Sequence, residues 1–220
     1  MGAAVDRPGV EAAHLTGAPE PNQHGATVEL RPLTLADAPA LLEVRRRNAE
    51  FLAPREPRRA PDYFTLHAQQ SELREVAANR AADRGYAFGI VHDGELVGRI
   101  ALNNIVRGVF QNAYLGYFVA QEHNGRGFAT QAVRLAVEYG FDELALHRVQ
   151  AAVMLDNPGS MRVLEKSGFR REGIARRYLQ IDGTWVDHVL FAITTEDPRP
   201  STGRPAGRAR TDTHRPARII

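Results

Sequence analysis

Leu115–Thr130 reads LGYFVAQEHNGRGFAT. Its first part, with Ala113 and Tyr114 before it, is an apolar and aromatic run of strand length ending at Val119. Its last part opens a helix whose apolar positions Phe128, Ala132, Leu135 and Tyr139 recur at helical spacing. Between them lies the turn Asn124-Gly125-Arg126-Gly127. Glycines let main chain approach a ligand closely. The first N–H groups of a helix have no internal acceptor, and the helix dipole adds partial positive charge there. A strand, a glycine turn and a helix start therefore describe an anion site built from main-chain donors.

Three phosphate-binding patterns compete for this stretch. A P-loop ends in Gly-Lys-Ser/Thr, whereas Arg126-Gly127-Phe128 stands here and the chain's single lysine is Lys166. A dinucleotide fingerprint needs a third glycine where Thr130 stands, in an early strand–helix unit. The third pattern is the acetyl-CoA pyrophosphate loop, Q/R-x-x-G-x-G/A. Read from Asn124, the chain gives Asn-Gly-Arg-Gly-Phe-Ala, so Gly127 and Ala129 match and Asn124 departs. A glycine pair before a helix is also an ordinary turn, so the surroundings must carry the argument.

Upstream, Val28–Arg31 reads as a strand. A helix follows, capped by Thr34 with Asp37 in the capping-box position and Ala38, Leu41 and Leu42 inward. A second helix follows Asp62, with Tyr63, Leu66, Leu73 and Ala77 as its apolar positions. Tyr86–Val91 and Leu96–Ile105 form a hairpin through Asp93-Gly94. Downstream, Val149–Met154 is a strand. Asn157 caps a short helix with Pro158 at its first position and Gly168 past its end. A last hairpin joins Ile174–Ile181 to Trp185–Ile193 through Asp182-Gly183. The order predicts an α+β fold with a mixed, mostly antiparallel sheet of about seven strands.

Composition sets the frame. The chain has 220 residues, 43% hydrophobic and 25% charged, and no cysteine. That excludes disulfides, thiolate metal sites and a cysteine nucleophile. Residues 1–26 are rich in Ala, Gly and Pro without periodicity, and are expected to be a disordered tail. Residues 27–197 are expected to form one domain, and residues 198–220 a disordered basic tail. Arg199–Ile220 holds six Arg and one Asp, so the net charge of +2 divides into +5 there and −3 elsewhere. Such a tail is a solvated segment or an RNA contact. There is no apolar run of about 18 residues, and Asp6, Arg7 and Pro8 interrupt any signal-peptide core. A cytoplasmic protein without membrane or DNA contacts is expected. His123 and His147 lack metal-ligand spacing, and no metal is expected.

With these residues laid out, the chain resembles the GNAT acetyltransferases over roughly residues 28–195. Three stretches carry the resemblance: GYFVAQEHNGRGFATQAV, MLDNPGSMRVLEKSGF and YLQIDGTWVDHVLFAI. The second is similar to the family signature N-x-x-S-x-x-x-L-x-K-x-G-F. The third resembles the closing hairpin of the RimJ/RimL type, which acetylates the N-terminal alanine of ribosomal proteins. The resemblance implies helices on both faces of the sheet and a splayed parallel strand pair holding acetyl-CoA. It implies main-chain contacts from Phe118 and Val119, a pyrophosphate cradle of Asn124, Gly125, Arg126, Gly127, Phe128, Ala129 and Thr130, and a thioester end faced by Asn157 and Ser160. Lys166 has two readings, a contact to a CoA phosphate or a plain helix C-terminal cation.

The implied reaction is direct attack of an amine on the thioester. It needs an oxyanion donor near Val119, a proton for the leaving thiolate, for which Ser160 is the candidate, and a base for the amine. Some relatives carry a Glu where Leu179 stands. Asp187, His188, Glu122 and a water held by Asn157 remain as candidate bases. An α-amine of pKa about 7.7–8.0 is roughly a tenth neutral at pH 7, whereas a lysine near 10.4 would need about 3–4 kcal/mol more. Lack of a strong base therefore favours an N-terminal amine. Ser160 and His188 also have purely structural readings, as a helix-start hydroxyl and a sheet-bonded imidazole. Trp185 reads as core or groove wall, and Arg45-Arg46-Arg47 as a solvated helix end or part of the acceptor groove. Three functions stay open: acetylation of a protein N-terminus, acetylation of a small amine (polyamine, amino acid or antibiotic), and a non-catalytic acyl-CoA-binding module. Either a monomer or a homodimer is compatible with them.

Overall fold

A computed structural model describes residues 27–200; the tail expected at 1–26 and all but the first three residues of the tail expected at 198–220 lie outside the described residues. The strands are β1 (Glu29–Pro32), β2 (Tyr86–His92), β3 (Glu95–Val106), β4 (Asn112–Val119), β5 (Arg148–Met154), β6 (Arg170–Ile181) and β7 (Thr184–Thr194). They form one sheet in the order β1-β2-β3-β4-β5-β7-β6. Every neighbouring pair is antiparallel except β4–β5. The helices are α1 (Ala38–Arg47), α2 (Ala49–Leu52), α3 (Leu66–Ala81), α4 (Phe128–Asp142) and α5 (Pro158–Lys166). The α+β architecture expected from the element order is the one observed.

Period-two alternation divides the sheet between two cores. Phe88 and Ile90 of β2 pack with Phe128, Ala132, Leu135 and Tyr139 of α4 and with Leu164 of α5. Ala87 and Val91, on the other face of the same strand, pack with Leu41 of α1 and Leu73 of α3. Helices thus cover both faces.

The start of α1 follows its sequence signal. Thr34 and Asp37 form the reciprocal capping box, through a 3-10 turn at Leu35–Asp37. The second helix corrects the expectation. It begins at Leu66 rather than after Asp62, because Pro61–Phe64 form a 3-10 turn and Thr65 caps α3 by accepting from the Ala68 N–H at 3.2 Å. Its inward residues are Gln69, Leu73 and, in part, Val76, while Leu66 is 43% exposed and Ala77 faces solvent. The polar Gln69 is tolerated inside because its amide donates to the Tyr63 carbonyl at 2.6 Å and accepts from Arg45 at 3.0 Å.

What positions the site is the parallel pair. β4 and β5 are in register only over Asn112–Tyr114 and Arg148–Gln150. Beyond that, β4 remains paired to β3 as far as Val119, and β5 to β7 as far as Met154. Each strand thus keeps its outer partner and loses its inner one, leaving a wedge between Leu115–Val119 and Ala151–Met154. An open edge of this kind presents unpaired main-chain donors and acceptors.

Candidate active site

A cleft of about 1160 Å³ enters this wedge. All the residues expected to hold the cofactor line it: Phe118, Val119, Asn124, Gly125, Arg126, Gly127, Phe128, Ala129, Thr130, Asn157 and Lys166, together with Ser160. The wedge refines one expectation. The Ala120 N–H bonds the Val97 carbonyl of β3 at 2.8 Å. Main-chain direction alternates along an antiparallel strand, so Phe118, paired with Arg99, also turns its amide groups to β3. Leu115, Tyr117 and Val119 turn theirs toward the gap. Phe118 therefore meets the cleft with its side chain, its main-chain groups being taken up by β3, while those of Tyr117 face the gap.

At the mouth of the wedge, Gly125 and Gly127 have φ of +75° and +80°, with Gly127 in the left-handed cap position of α4. The first bond into the helix is Gln131 N–H to the Gly127 carbonyl at 3.1 Å. That leaves the Phe128, Ala129 and Thr130 N–H groups without helical acceptors, aimed out of the helix start. Phe128 anchors the turn in the core, with His123 stacked on its ring at 5.9 Å and Arg126 over it at 5.0 Å. The Asn124 departure changes a side chain at the edge of the loop and keeps these donors. Three cationic side chains line the cleft further along, Arg134, Arg162 and Lys166. Sequence reasoning missed Arg134, although it sits one helical turn beyond Thr130. Its Nη2 donates to the Lys166 carbonyl at 2.7 Å, tying α4 to the end of α5. Its Nε is buried without a partner, and burial pulls its pKa below the ordinary guanidinium value.

At the inner end, Asn157 Oδ1 accepts the Ser160 N–H at 3.1 Å, as the capping pattern predicts. This cap satisfies the helix start and leaves the Ser160 hydroxyl for another partner. That partner is Tyr117, whose hydroxyl lies 2.8 Å from Ser160 Oγ. Burial pushes the Tyr117 phenol up to about 12, against a smaller downward pull from the Ser160 bond. The neutral phenol and the serine hydroxyl thus lie hydrogen-bonded to each other in the wall of the wedge.

The candidate bases separate. Glu122 is half-exposed and 3.6 Å from Arg47, outside the cleft. Asp187 accepts the Arg177 N–H at 2.8 Å and holds the irregular segment of β6, where Arg177 has φ of +49°. His188 is 3% exposed and lines the cleft, as does Leu179. Trp185 is 60% exposed and forms neither core nor cleft wall, contrary to expectation, because it lies near the end of the hairpin beyond any covering element. Phe51, Leu52, Arg55, Glu56 and Pro57 also line the cleft, as do Leu179–Ile181, and no residue of α1 does. Arg58 lies 3.9 Å from Asp182, bringing the two segments together as an outer mouth. Among the described residues, no group of three or more His, Cys, Asp or Glu side chains is arranged to hold a metal.

The family described as acetyltransferase (GNAT) domain matches residues 27–170. A probable N-acetyltransferase of Bacillus subtilis, YjcK, is 45% identical over 175 residues, 79% of this chain and 97% of the relative. The ribosomal protein uS5-alanine N-acetyltransferase of Escherichia coli is 35% identical over 166 residues, 74% of this chain and 86% of the relative. A solved structure, Mycobacterium smegmatis RimJ in complex with CoA-disulfide, superposes with a TM-score of 0.74 at 37% identity, covering 77% of this chain and 82% of the other. The wedge, the glycine cradle and the capped serine helix agree with these matches: the chain belongs to the GNAT acetyltransferases and is an N-acetyltransferase, related to the RimJ-type ribosomal-protein-alanine enzymes, with acetyl-CoA as its co-substrate.

Proposed function

We propose that the protein acetylates the α-amine of a protein beginning with alanine or serine, with a ribosomal protein as the natural acceptor. The observation that carries this is the outer mouth. Phe51, Leu52, Pro57 and Leu179 give it apolar walls, and its two charges, Arg55 and Glu56, are of opposite sign. Net charge alone does not separate the acceptors, since a polyamine, an aminoglycoside and a basic protein tail would all suit an acidic groove; the apolar walls carry the distinction. A small apolar first residue on an extended chain fits apolar walls at an open end. The 35% identity to the uS5-alanine enzyme supports the same reading. Cytoplasmic action belongs to this proposal, since ribosomal proteins acquire their N-termini there.

In this reading the N–H groups of Phe128, Ala129 and Thr130 hold the pyrophosphate of acetyl-CoA, with Lys166 and Arg134 beside its outer phosphates. The inward main chain of Tyr117 and Val119 pairs with the pantetheine arm, and the Val119 N–H stabilises the oxyanion. Ser160 protonates the leaving thiolate, and Asn157 orients the helix start that carries it. Gly127 tests the cradle. A Cβ disfavours this left-handed conformation by about 1–2 kcal/mol and shifts the loop away from the arrangement that aims the donors, so Gly127→Ala is expected to weaken acetyl-CoA binding by about tenfold. Isothermal titration with acetyl-CoA reads this directly, and unchanged affinity would remove the loop from the site.

The acceptor is tested by CoA release, followed with a thiol reagent. The chain has no cysteine and contributes no thiol background. Peptides beginning with alanine or serine are expected to exceed free lysine and polyamines by at least about tenfold in kcat/KM, in line with the cost of deprotonating a lysine-like amine. Release with polyamines alone would move the function to small-molecule acetylation. Tight acetyl-CoA binding with no turnover of any acceptor would point to a binding module.

A further inference from the structure

The acid end of the cleft is defined by Ser160 and Tyr117, and the position where some relatives carry a glutamate is occupied by Leu179. A buried histidine nevertheless reaches the cleft from the other side. His188 lies in β7 opposite Met154, the last residue of β5. Its neighbours in alternation, Val189, Phe191 and Ile193, pack into the core under α4 and α5, so the His188 ring projects from the α1/α3 face. There it lies 5.8 Å from Tyr178, whose hydroxyl is bonded to Tyr114. Tyr117, packed against the α4 core, and Ser160 are on the opposite face.

The hydrogen bonding fixes the tautomer. Nδ1 is 2.9 Å from the Val186 carbonyl. A carbonyl oxygen only accepts, so in the neutral ring Nδ1 carries the proton and Nε2 carries the lone pair. Among the described residues Nε2 has no partner, and it is absent from the buried polar atoms that lack one. The groups facing the ring are the Tyr178 phenol from β6, Met154 from β5 and Ala175 from β6. Asp187 next to it is engaged by the Arg177 N–H, and no carboxylate among the described residues lies within ion-pair distance of the ring.

We propose that His188 is the general base of the reaction, with Nε2 taking a proton from the acceptor amine on the face of the sheet opposite Ser160. The inference rests on the acetyl-transfer reading of the cleft and holds for any primary amine acceptor. An acceptor ammonium gives one proton to Nε2, directly or through one water, and His188 passes it to solvent. The nitrogen lone pair forms the N–C bond, and collapse of the tetrahedral oxyanion breaks the C–S bond. The thiolate takes the Ser160 Oγ proton, while the second nitrogen proton leaves through His188 and Ser160 is reprotonated from solvent. Amine and thioester become amide and thiol, with one proton released per ammonium consumed.

His188→Asn separates the two ring nitrogens. The asparagine Nδ2 replaces the donor to Val186, and nothing replaces Nε2. The full-length variant is assayed beside wild type with a peptide beginning with alanine, and with whichever panel amine the wild type turns over best. At about pH 7, kcat is expected to fall by about 100-fold, within the range for a lost acid–base group. The deficit should shrink above about pH 8, where an α-amine is neutral unaided. Acetyl-CoA affinity and the melting temperature should stay near wild type. A pH-independent loss, a loss that follows weakened acetyl-CoA binding, or kcat within about threefold of wild type at pH 7 would each overturn the proposal. Because the readout is the ratio of variant to wild type on one amine, it is independent of which amine wins the acceptor panel.

Discussion

Ser160→Ala is expected to lower kcat by about a thousandfold while leaving acetyl-CoA affinity nearly unchanged, because the group removed acts only when the thiolate leaves. The structure makes the two readings of this serine distinguishable. A serine serving only its helix start would bond a helix N–H, yet the N–H at this position is already capped by Asn157 and the hydroxyl is turned to Tyr117. Tyr117→Phe removes the backing bond and keeps the serine. A single hydrogen bond is worth about 0.5–1.5 kcal/mol, so this variant should lose up to about tenfold. In the double variant the tyrosine has nothing left to act through, and its rate should match that of Ser160→Ala alone. The alkaline side adds a check. With its phenol pushed up to about 12, Tyr117 stays protonated through about pH 9, so the Ser160→Ala deficit should be flat from about pH 7 to about pH 9. Steady-state kinetics with a peptide acceptor reads all of this. A kcat within about threefold of wild type for Ser160→Ala, or additive losses in the double variant, would remove serine from proton transfer.

How much of this was legible in the sequence depends on the range of the interactions. The cradle and the Asn157–Ser160 cap were readable because each is local. A helix start after a glycine turn, and a side chain bonding an N–H three residues on, obey rules that need no tertiary knowledge. Tyr117 was hidden because its bond to Ser160 joins residues 43 apart, and nothing in a strand's alternation says which helix will cross it. His188 was legible as a residue type and not as a role, since its tautomer depends on how its own strand turns a carbonyl toward the ring. The offset of α3 had a readable cause in Pro61 and Thr65, but the apolar spacing of Tyr63 and Leu66 pointed to an earlier start. Arg45 was misleading in a different way. In a run of three arginines at a helix end, solvation is the ordinary outcome, and only the fold reveals that the first of them is 6% exposed.

That buried arginine leads to the largest expected effect on stability. Arg45 of α1 bonds both oxygens of Glu72 in α3, at 2.6 and 2.9 Å, and Gln69 at 3.0 Å. Its guanidinium also lies over Tyr63 at 4.8 Å and 5.9 Å from the Phe118 ring, so the cluster underlies the strand that forms the wedge. Arg99 of β3 shares the same carboxylate, with Nε 3.7 Å from Glu72 Oε1 and no hydrogen-bond partner of its own. Burial pushes both guanidiniums down and Glu72 pulls them back up. Glu72→Ala leaves the buried Arg45 and the partly buried Arg99 without their shared carboxylate, and breaking a buried pair by removing one partner costs about 3–5 kcal/mol. In a domain of this size that lowers Tm by roughly 10 °C or more. The cost comes from the orphaned charge rather than from the worth of the pair, so a second substitution should relieve it. Arg45→Met in the Glu72→Ala background fills the same space without a charge, and the double variant should melt above Glu72→Ala alone. Thermal unfolding of the single and double variants measures this coupling. If Arg45→Met lowered Tm further in that background, the arginine would be contributing through its packing on Tyr63 and Phe118 rather than through charge, and the cluster would be a packing joint beneath the wedge instead of an electrostatic one.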